Sequence, residues 1–113
     1  MMTATNKLKS EHTKRERYLI KKFGGTPRIS YGYDGTINGK PVEVRSARVD
    51  KRFRIQRDVH ETLLRRNGFY IFDALGHRPV KISAQKVSKK LNGSRWLKDR
   101  KYPHRFVLVK NIW

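Results

Sequence analysis

The chain has 113 residues, enough for one domain with a modest core, and its 28 basic and 9 acidic residues give a formal net charge of +19. Such a positive charge favours a polyanionic partner, above all DNA or RNA. The absence of cysteine excludes disulfides and cysteine-ligated zinc. No apolar run approaches the roughly 20 residues that span a bilayer, and the polar N-terminus lacks the apolar centre of a secretory signal. We therefore expect an intracellular, cytoplasmic protein with no membrane partner.

The N-terminal part of the chain predicts a short helix. Residues 1–10 are polar and are expected to be disordered. The following segment, "TKRERYLIKKFGG", predicts a helix that ends at its glycine pair. Thr13 and Glu16 have the spacing of a capping box at the start of this helix. That structural role is an alternative to any chemical role of Glu16.

The next segment predicts strands and a hairpin. Residues 27–33 alternate in polarity and are rich in β-forming residues. The dipeptide Asn38-Gly39 is a strong hairpin signal. It should join a brief strand near residues 33–37 to a second strand near residues 41–47.

The middle of the chain predicts a helix and a buried strand. "RVDKRFRIQ", residues 48–56, is interpreted as a basic connector. "QRDVHETLLRRNG" predicts a helix, because Val59 and Leu63 lie four residues apart and Asn67-Gly68 can end it. "FYIFDAL", residues 69–75, is an apolar run of strand length, which predicts a buried central strand.

The C-terminal part, residues 76–113, is expected to add a helix and a strand. The predicted elements are an extended piece at 80–82, a helix at 83–91, a loop at 92–104 and a strand at 105–113. Its aromatic side chains are interpreted as core or dimer contacts rather than platforms for bases: Trp96, Tyr102, Phe106 and Trp113. The order of elements predicts a single α/β domain over residues 1–113, with a mixed sheet flanked by helices.

Two carboxylates stand on either side of the predicted hairpin turn. Asp34 precedes the turn, Glu43 follows it, and the cation Arg45 lies two residues beyond. Residues on paired strands approach to about 5 Å. Asp34 and Glu43 could therefore bind one Mg²⁺ ion, which prefers hard oxygen ligands. Arg45 shares a strand face with Glu43, about 7 Å away along the strand, where it could contact a scissile phosphate. The alternative is a turn aspartate and a surface glutamate paired with Arg45.

The segment "YDGTINGKPVEVRS" resembles the core of the PD-(D/E)XK nuclease superfamily, in which a carboxylate and a β-turn precede acid-x-lysine on an apolar strand. The similarity is greatest to archaeal Holliday junction resolvases and covers about residues 11–75. Those enzymes carry an acid on the first helix, which Glu11 or Glu16 matches. They also carry a glutamine that opens a later helix, which Gln56 matches. The alternative for Gln56 is a plain N-terminal helix residue. No counterpart is assigned to the C-terminal third.

Two departures from the family pattern fall inside this motif. Tyr33 stands where the family has proline, and Arg45 stands where it has lysine. A buried lysine can lose its proton, whereas arginine essentially cannot. Arginine can replace the lysine if the residue orients water or neutralises charge. It cannot replace the lysine if the residue must accept a proton.

The resemblance implies a restriction-endonuclease-like fold and a Mg²⁺-dependent endonuclease that acts on branched DNA as a homodimer. Mn²⁺ should substitute for Mg²⁺, and no small-molecule cofactor is expected. Asp34 and Glu43 are the implied metal ligands. The implied catalytic residues are Asp34, Glu43, Arg45, Gln56 and Glu16.

A basic cluster that follows the motif is expected to contact DNA phosphates, and its members are Arg48, Lys51, Arg52, Arg54 and Arg57. The alternative for such a cluster is a solvated surface. The four histidines have no metal-site spacing, and His60 is interpreted as a surface residue. A different class of function also stays open at this point. The chain could be a non-catalytic nucleic-acid binder, either a decayed nuclease or a ribosome-associated protein.

Overall fold

The computed structural model describes residues 4–28, 32–47, 51–99 and 102–113. In chain order the elements are α1 (Ala4–Lys22), β1 (Thr26–Pro27), β2 (Gly35–Ile37), β3 (Lys40–Ala47), β4 (Arg52–Gln56), α2 (Arg57–Arg65), β5 (Phe69–Ala74), β6 (Val80–Ser83), α3 (Ala84–Ser88), β7 (Asn92–Asp99), β8 (Tyr102–Leu108) and a final 3₁₀ turn (Val109–Asn111). None of the helices in these ranges is long and apolar enough to cross a membrane.

The strands form two sheets. The larger sheet has the order β1-β2-β3-β5-β6, and the smaller has the order β4-β8-β7. β3 and β5 pair in parallel, whereas their outer neighbours β2 and β6 pair antiparallel to them. The mixed sheet and its helices confirm the predicted α/β class and are consistent with a restriction-endonuclease-like fold.

Alternation along β3 divides the core into two clusters. Val42 and Val44 pack with residues of α1, including Leu19 and Ile20. The other cluster joins α2, α3, β5 and the second sheet. Because successive side chains of a strand point to opposite faces, Glu43 lies on the face opposite to Val42 and Val44. It is nevertheless only 9% exposed, so this acid belongs to the interior.

Several elements predicted from local signals are confirmed. Asn38 and Gly39 both have positive φ, 52° and 77°, as a type I′ hairpin turn requires. α2 is followed by Asn67 with φ 55° and by Gly68. α1 ends at Lys22 and is followed by Gly24 with φ 83°. The predicted central strand is β5, which lies between β3 and β6.

The predicted start of the first helix is wrong. α1 begins at Ala4 and so includes much of the segment that was expected to be disordered. Thr13 therefore lies inside the helix and cannot be its N-cap, which removes the capping-box interpretation of Glu16.

At the C-terminal end of α1, a Cβ on Gly25 would lie 2.5 Å from the backbone oxygen of Thr36. The second glycine of the pair thus allows the end of α1 to pack against β2.

The second sheet was not predicted. The supposed connector contains β4, and the supposed loop at 92–104 contains β7 and the start of β8. β4 pairs antiparallel with β8, which is distant in sequence, so no local signal marks that pairing. β7 precedes β8 directly along the chain and pairs with it antiparallel. The alternation of Arg52, Phe53, Arg54 and Ile55 between exposed and buried was the available local signal.

Three further predicted elements are shorter than expected. The strand predicted at 27–33 is observed only at β1, with residues 29–31 outside the described part of the chain. The helix predicted at 83–91 is limited to α3, Ala84–Ser88. The C-terminal strand ends at Leu108, where the 3₁₀ turn begins.

Candidate active site

The hairpin brings Asp34 beside Glu43. Its two-residue turn sets a register in which Gly35 pairs with Val42, and Asp34 lies immediately before Gly35. The backbone N–H of Asp34 donates to the carbonyl oxygen of Val42 at 3.0 Å, which holds Asp34 against β3. The carboxyl groups of Asp34 and Glu43 are hydrogen-bonded to each other and line the same cavity.

Backbone hydrogen bonds fix the position of Asp34. Its Oδ2 atom accepts from the backbone N–H of Val44 at 2.8 Å. Its carbonyl oxygen accepts from the backbone N–H of Arg28 at 2.7 Å. A carboxylate held by a strand N–H keeps one rotamer, which is the preorganisation that a ligand site needs.

Glu43 is a buried acid with a strongly altered proton affinity. Burial, a hydrogen bond with Asp34 and the charge of Asp34 raise the pKa of Glu43 from 4.5 to about 10, against the opposing effect of Arg45. Two carboxylates this close cannot both ionise easily without a cation. At neutral pH Glu43 of the metal-free site therefore keeps its proton and is hydrogen-bonded to Asp34.

A third carboxyl group comes from α1. Burial and the charge of Asp34 raise the pKa of Glu16 from 4.5 to about 7, and Arg45 opposes this change. The charges of Asp34 and Arg45 therefore shift the pKa of both Glu16 and Glu43. The helix acid and the hairpin acids belong to one electrostatic cluster.

All five sequence-predicted catalytic positions line one cavity of about 250 Å³. The lining residues are Glu16, Gly32, Tyr33, Asp34, Glu43, Arg45, Gln56 and Val59. Gln56 occupies the junction of β4 and α2, where it is the N-cap residue without a side-chain cap bond. Its Nε2 atom instead donates to Oδ1 of Asp58 at 2.6 Å. The buried Nε of Arg45 has no hydrogen-bond partner within the described ranges.

The donor set of the cavity fits a hard divalent cation. Mg²⁺ is commonly held by one or two carboxylates, with water and phosphate oxygens completing its shell. Within the described ranges, no group of three or more His, Cys, Asp or Glu side chains is arranged to hold a metal ion. The fit therefore depends on the pair Asp34 and Glu43. A cation between them would replace the proton of Glu43 and relieve their repulsion.

The predicted phosphate-binding cluster lies around β4. The side chains of Lys51, Arg52, Arg54 and Arg57 are exposed, and Arg48 falls outside the described residues. The Arg52 guanidinium carbon lies 3.9 Å from the centroid of the Phe106 ring. Arg54 Nη2 lies 3.2 Å from His104 Nδ1. Arg57 pairs with Glu61 at 2.9 Å.

The interpretation of His60 as a surface residue is wrong. His60 is 2% exposed, and its ring nitrogens lie 2.8 Å from the Tyr70 hydroxyl and 2.7 Å from Ser88 Oγ. Burial and the charge of Arg105 lower the pKa of His60 from 6.5 to about 4, against the opposing effect of Glu61. Because Tyr70 faces Glu43 in the β3–β5 register, this network packs behind the acid pair. The spacing of His60 and Leu64, four apart beside the apolar stripe, was the available signal.

The sequence matches the family model of the PD-(D/E)XK nuclease superfamily domain over residues 2–105. The match covers most of the chain, and the chain belongs to this superfamily. It also extends well beyond residues 11–75, so most of the C-terminal third belongs to the domain. Searches of curated proteins and of solved structures returned no match.

Proposed function

We propose that this protein is a divalent-metal-dependent endodeoxyribonuclease whose active site is the cavity around Asp34 and Glu43. The observation that carries the proposal is the contact between these two carboxyl groups in one cavity, beside a third acid and an arginine. In a chain with a net charge of +19, a buried acidic cluster repels phosphate unless a cation intervenes. Superfamily membership supports the same reaction class.

The side chains of the cavity have separate roles in this proposal. Asp34 and Glu43 hold the metal ion, and Asp34 is already oriented by the N–H of Val44. Arg45 binds the non-bridging oxygens of the scissile phosphate and stabilises the charge that develops there. Gln56 positions the attacking water by hydrogen bonds. Glu16, with a pKa near 7, can exchange a proton with that water at neutral pH.

The ion of this proposal is Mg²⁺, with Mn²⁺ as a substitute. When bound, it supplies Lewis-acid stabilisation of charge at the phosphate. The chain's contribution to its binding is a pair of hard oxygen donors in which Glu43 must first lose its proton. Metal affinity should therefore increase with pH.

Branched DNA is the proposed substrate and a homodimer the proposed assembly. Paired cuts across a junction need two active sites, which a two-fold dimer provides. Exposed apolar side chains of the C-terminal part offer contacts for a second copy, and they include Leu97 at 53%, Tyr102 at 38% and Trp113 at 40% exposure. The cations of the cluster around β4 supply phosphate contacts outside the cavity.

Single-turnover cleavage tests this function. The wild type and the variants Asp34→Asn and Glu43→Gln are incubated with linear, single-stranded and four-way-junction DNA in Mg²⁺ or Mn²⁺. The wild type should cut the junction, whereas each variant should lose at least a thousandfold in rate and bind DNA as tightly or more tightly. Each 1.36 kcal/mol lost from the transition state is tenfold in rate. Equal cutting by the wild type and both variants would refute the assignment.

One observation favours a second candidate, a non-catalytic nucleic-acid binder. The cation of the site is Arg45, which cannot act as a proton acceptor at neutral pH. Arg45→Lys separates the two functions. A nuclease in which arginine replaces lysine should keep or gain activity on this exchange. A binder should show no cleavage before or after it and no metal transition that depends on Asp34 and Glu43.

A further inference from the structure

A second cavity, of about 370 Å³, adjoins the first. The two share Gly32, Tyr33 and Val59 as walls. The remaining lining residues of the second cavity are Arg28, Asp58, Thr62 and Arg66. The two cavities therefore lie next to each other, with Tyr33 lining both.

Tyr33 lines both cavities, and the side chains of two arginines contact its ring. The Arg28 guanidinium carbon lies 4.3 Å from the centroid of the Tyr33 ring, and that of Arg66 lies 5.4 Å from it. Arg66 Nη1 also donates to the Tyr33 hydroxyl at 2.8 Å. Tyr33 is the residue that replaces the family's proline immediately before Asp34. The departure from the motif thus places a pair of cations next to the acid pair.

We propose that the second cavity binds a phosphate of the DNA strand adjacent to the scissile phosphate, with Arg28 and Arg66 as the binding residues and Tyr33 as their support. This inference rests on the proposed nuclease function for the identity of the first cavity. A guanidinium presents five N–H donors in a rigid fork that matches phosphate oxygens. Contact with the Tyr33 ring, and for Arg66 the hydrogen bond to its hydroxyl, holds the two arginines before the ligand arrives, which reduces the conformational entropy lost on binding.

The acid of the second cavity does not oppose this ligand strongly. Oδ1 of Asp58 accepts from Gln56 Nε2 at 2.6 Å and from the backbone N–H of Val59 at 2.9 Å. Its charge is thus engaged in the first turn of α2, where the helix dipole favours an anion. Gln56 lines the first cavity and Asp58 lines the second. The hydrogen bond between them therefore links the two cavity walls.

If Arg28 and Arg66 only stabilise the fold around Tyr33, neutralising one DNA phosphate should weaken binding equally with and without them. If they bind a phosphate, the penalty should depend on them. DNA molecules with a single neutral methylphosphonate, placed in turn at each position around the cut, distinguish the two roles. With the wild type, one substitution next to the cut should weaken equilibrium binding by about tenfold or more, as expected for a charged hydrogen bond. With Arg66→Gln or Arg28→Gln, unmodified DNA should bind correspondingly more weakly. The same methylphosphonate should then cost less than threefold.

Arg95→Gln is the matched control, because Arg95 is an exposed arginine of β7 that lines neither cavity. It loses the same charge but should retain the full methylphosphonate penalty. If Arg28→Gln and Arg66→Gln also retain that penalty, the phosphate site is refuted, whatever their thermal stability. The readout is binding, so it does not depend on catalysis. A wild type that cuts no DNA but shows an arginine-dependent penalty would refute the nuclease function and support the phosphate site.

Discussion

Replacing Glu43 by glutamine should stabilise the metal-free protein at neutral pH. The buried carboxyl lies against Asp34, so its ionised form is costly in the folded chain. The unfolded chain has no such cost. Glutamine keeps the size and hydrogen-bonding capacity of a protonated glutamate and removes the ionisation. The gain in free energy of unfolding should therefore depend on pH.

The sign and the size of this effect follow from the raised pKa. Glu43 titrates at 4.5 when unfolded and at about 10 when folded. Its stabilising contribution is fully present below pH 4.5 and is lost as the pH rises towards 10, because the unfolded state releases a proton that the folded state retains. The expected slope is about −1.4 kcal/mol per pH unit. Between pH 5 and pH 8 the wild type should lose about 4 kcal/mol relative to Glu43→Gln.

Urea unfolding at several pH values in the presence of a chelator measures this difference. Glu61→Gln is the control, because Glu61 is an exposed glutamate that pairs with Arg57 on α2. Its stability should follow that of the wild type across the pH range. Adding Mg²⁺ should stabilise the wild type selectively, because binding displaces the proton of Glu43. If the stabilities of the wild type and Glu43→Gln stay parallel from pH 5 to 8, the account of the acid pair is wrong.

Three further outcomes are expected. Between pH 6.5 and pH 4 the wild type should lose about 3 kcal/mol of unfolding free energy relative to His60→Asn. The cause is the lowered pKa of His60 in the folded chain, because acid protonates this histidine in the unfolded chain first. Equal pH dependence of stability in the two proteins would count against a buried neutral ring. Phe53→Ala should cost about 3–5 kcal/mol in urea unfolding, because Phe53 is fully buried and its ring centroid lies 4.6 Å from that of Phe72; a loss below 1 kcal/mol would contradict this packing. Sedimentation at micromolar concentration should give the mass of two chains, and a mass of one chain with and without DNA would exclude the homodimer.

The acid pair was predictable from sequence because its signals are local. A two-residue Asn38-Gly39 turn fixes the register of its hairpin, in which Ile37 pairs with Lys40 and Gly35 with Val42. Asp34, next to Gly35, therefore lies close to Glu43, next to Val42. The central strand was equally predictable, because its apolar run is continuous. These features depend on residues close together in the chain and therefore needed no knowledge of distant contacts.

The second sheet and the arginine stack depend on distant contacts. β4 pairs with β8, which lies about 50 residues further along the chain. The alternation of charged and apolar residues along β4 indicates a strand, but its partner strand could not be identified from local sequence. Similarly, Arg66 reaches Tyr33 from the C-terminal end of α2, and no local pattern marks that contact. His60 was misassigned for the same reason, since Ser88 on α3 completes its hydrogen bonding. Sequence reasoning located the acids but not the surfaces around them.

The most direct test of the central claim is to locate the metal ion. A crystal structure of the protein with DNA and Mn²⁺, recorded at the manganese absorption edge, would identify the ion by its anomalous signal. The account predicts a peak coordinated by carboxylate oxygens of both Asp34 and Glu43 and by a phosphate oxygen of the DNA, and it predicts that Asp34→Asn removes the peak. A fully occupied manganese peak elsewhere on the chain, with DNA bound and no peak at Asp34 and Glu43, would contradict it.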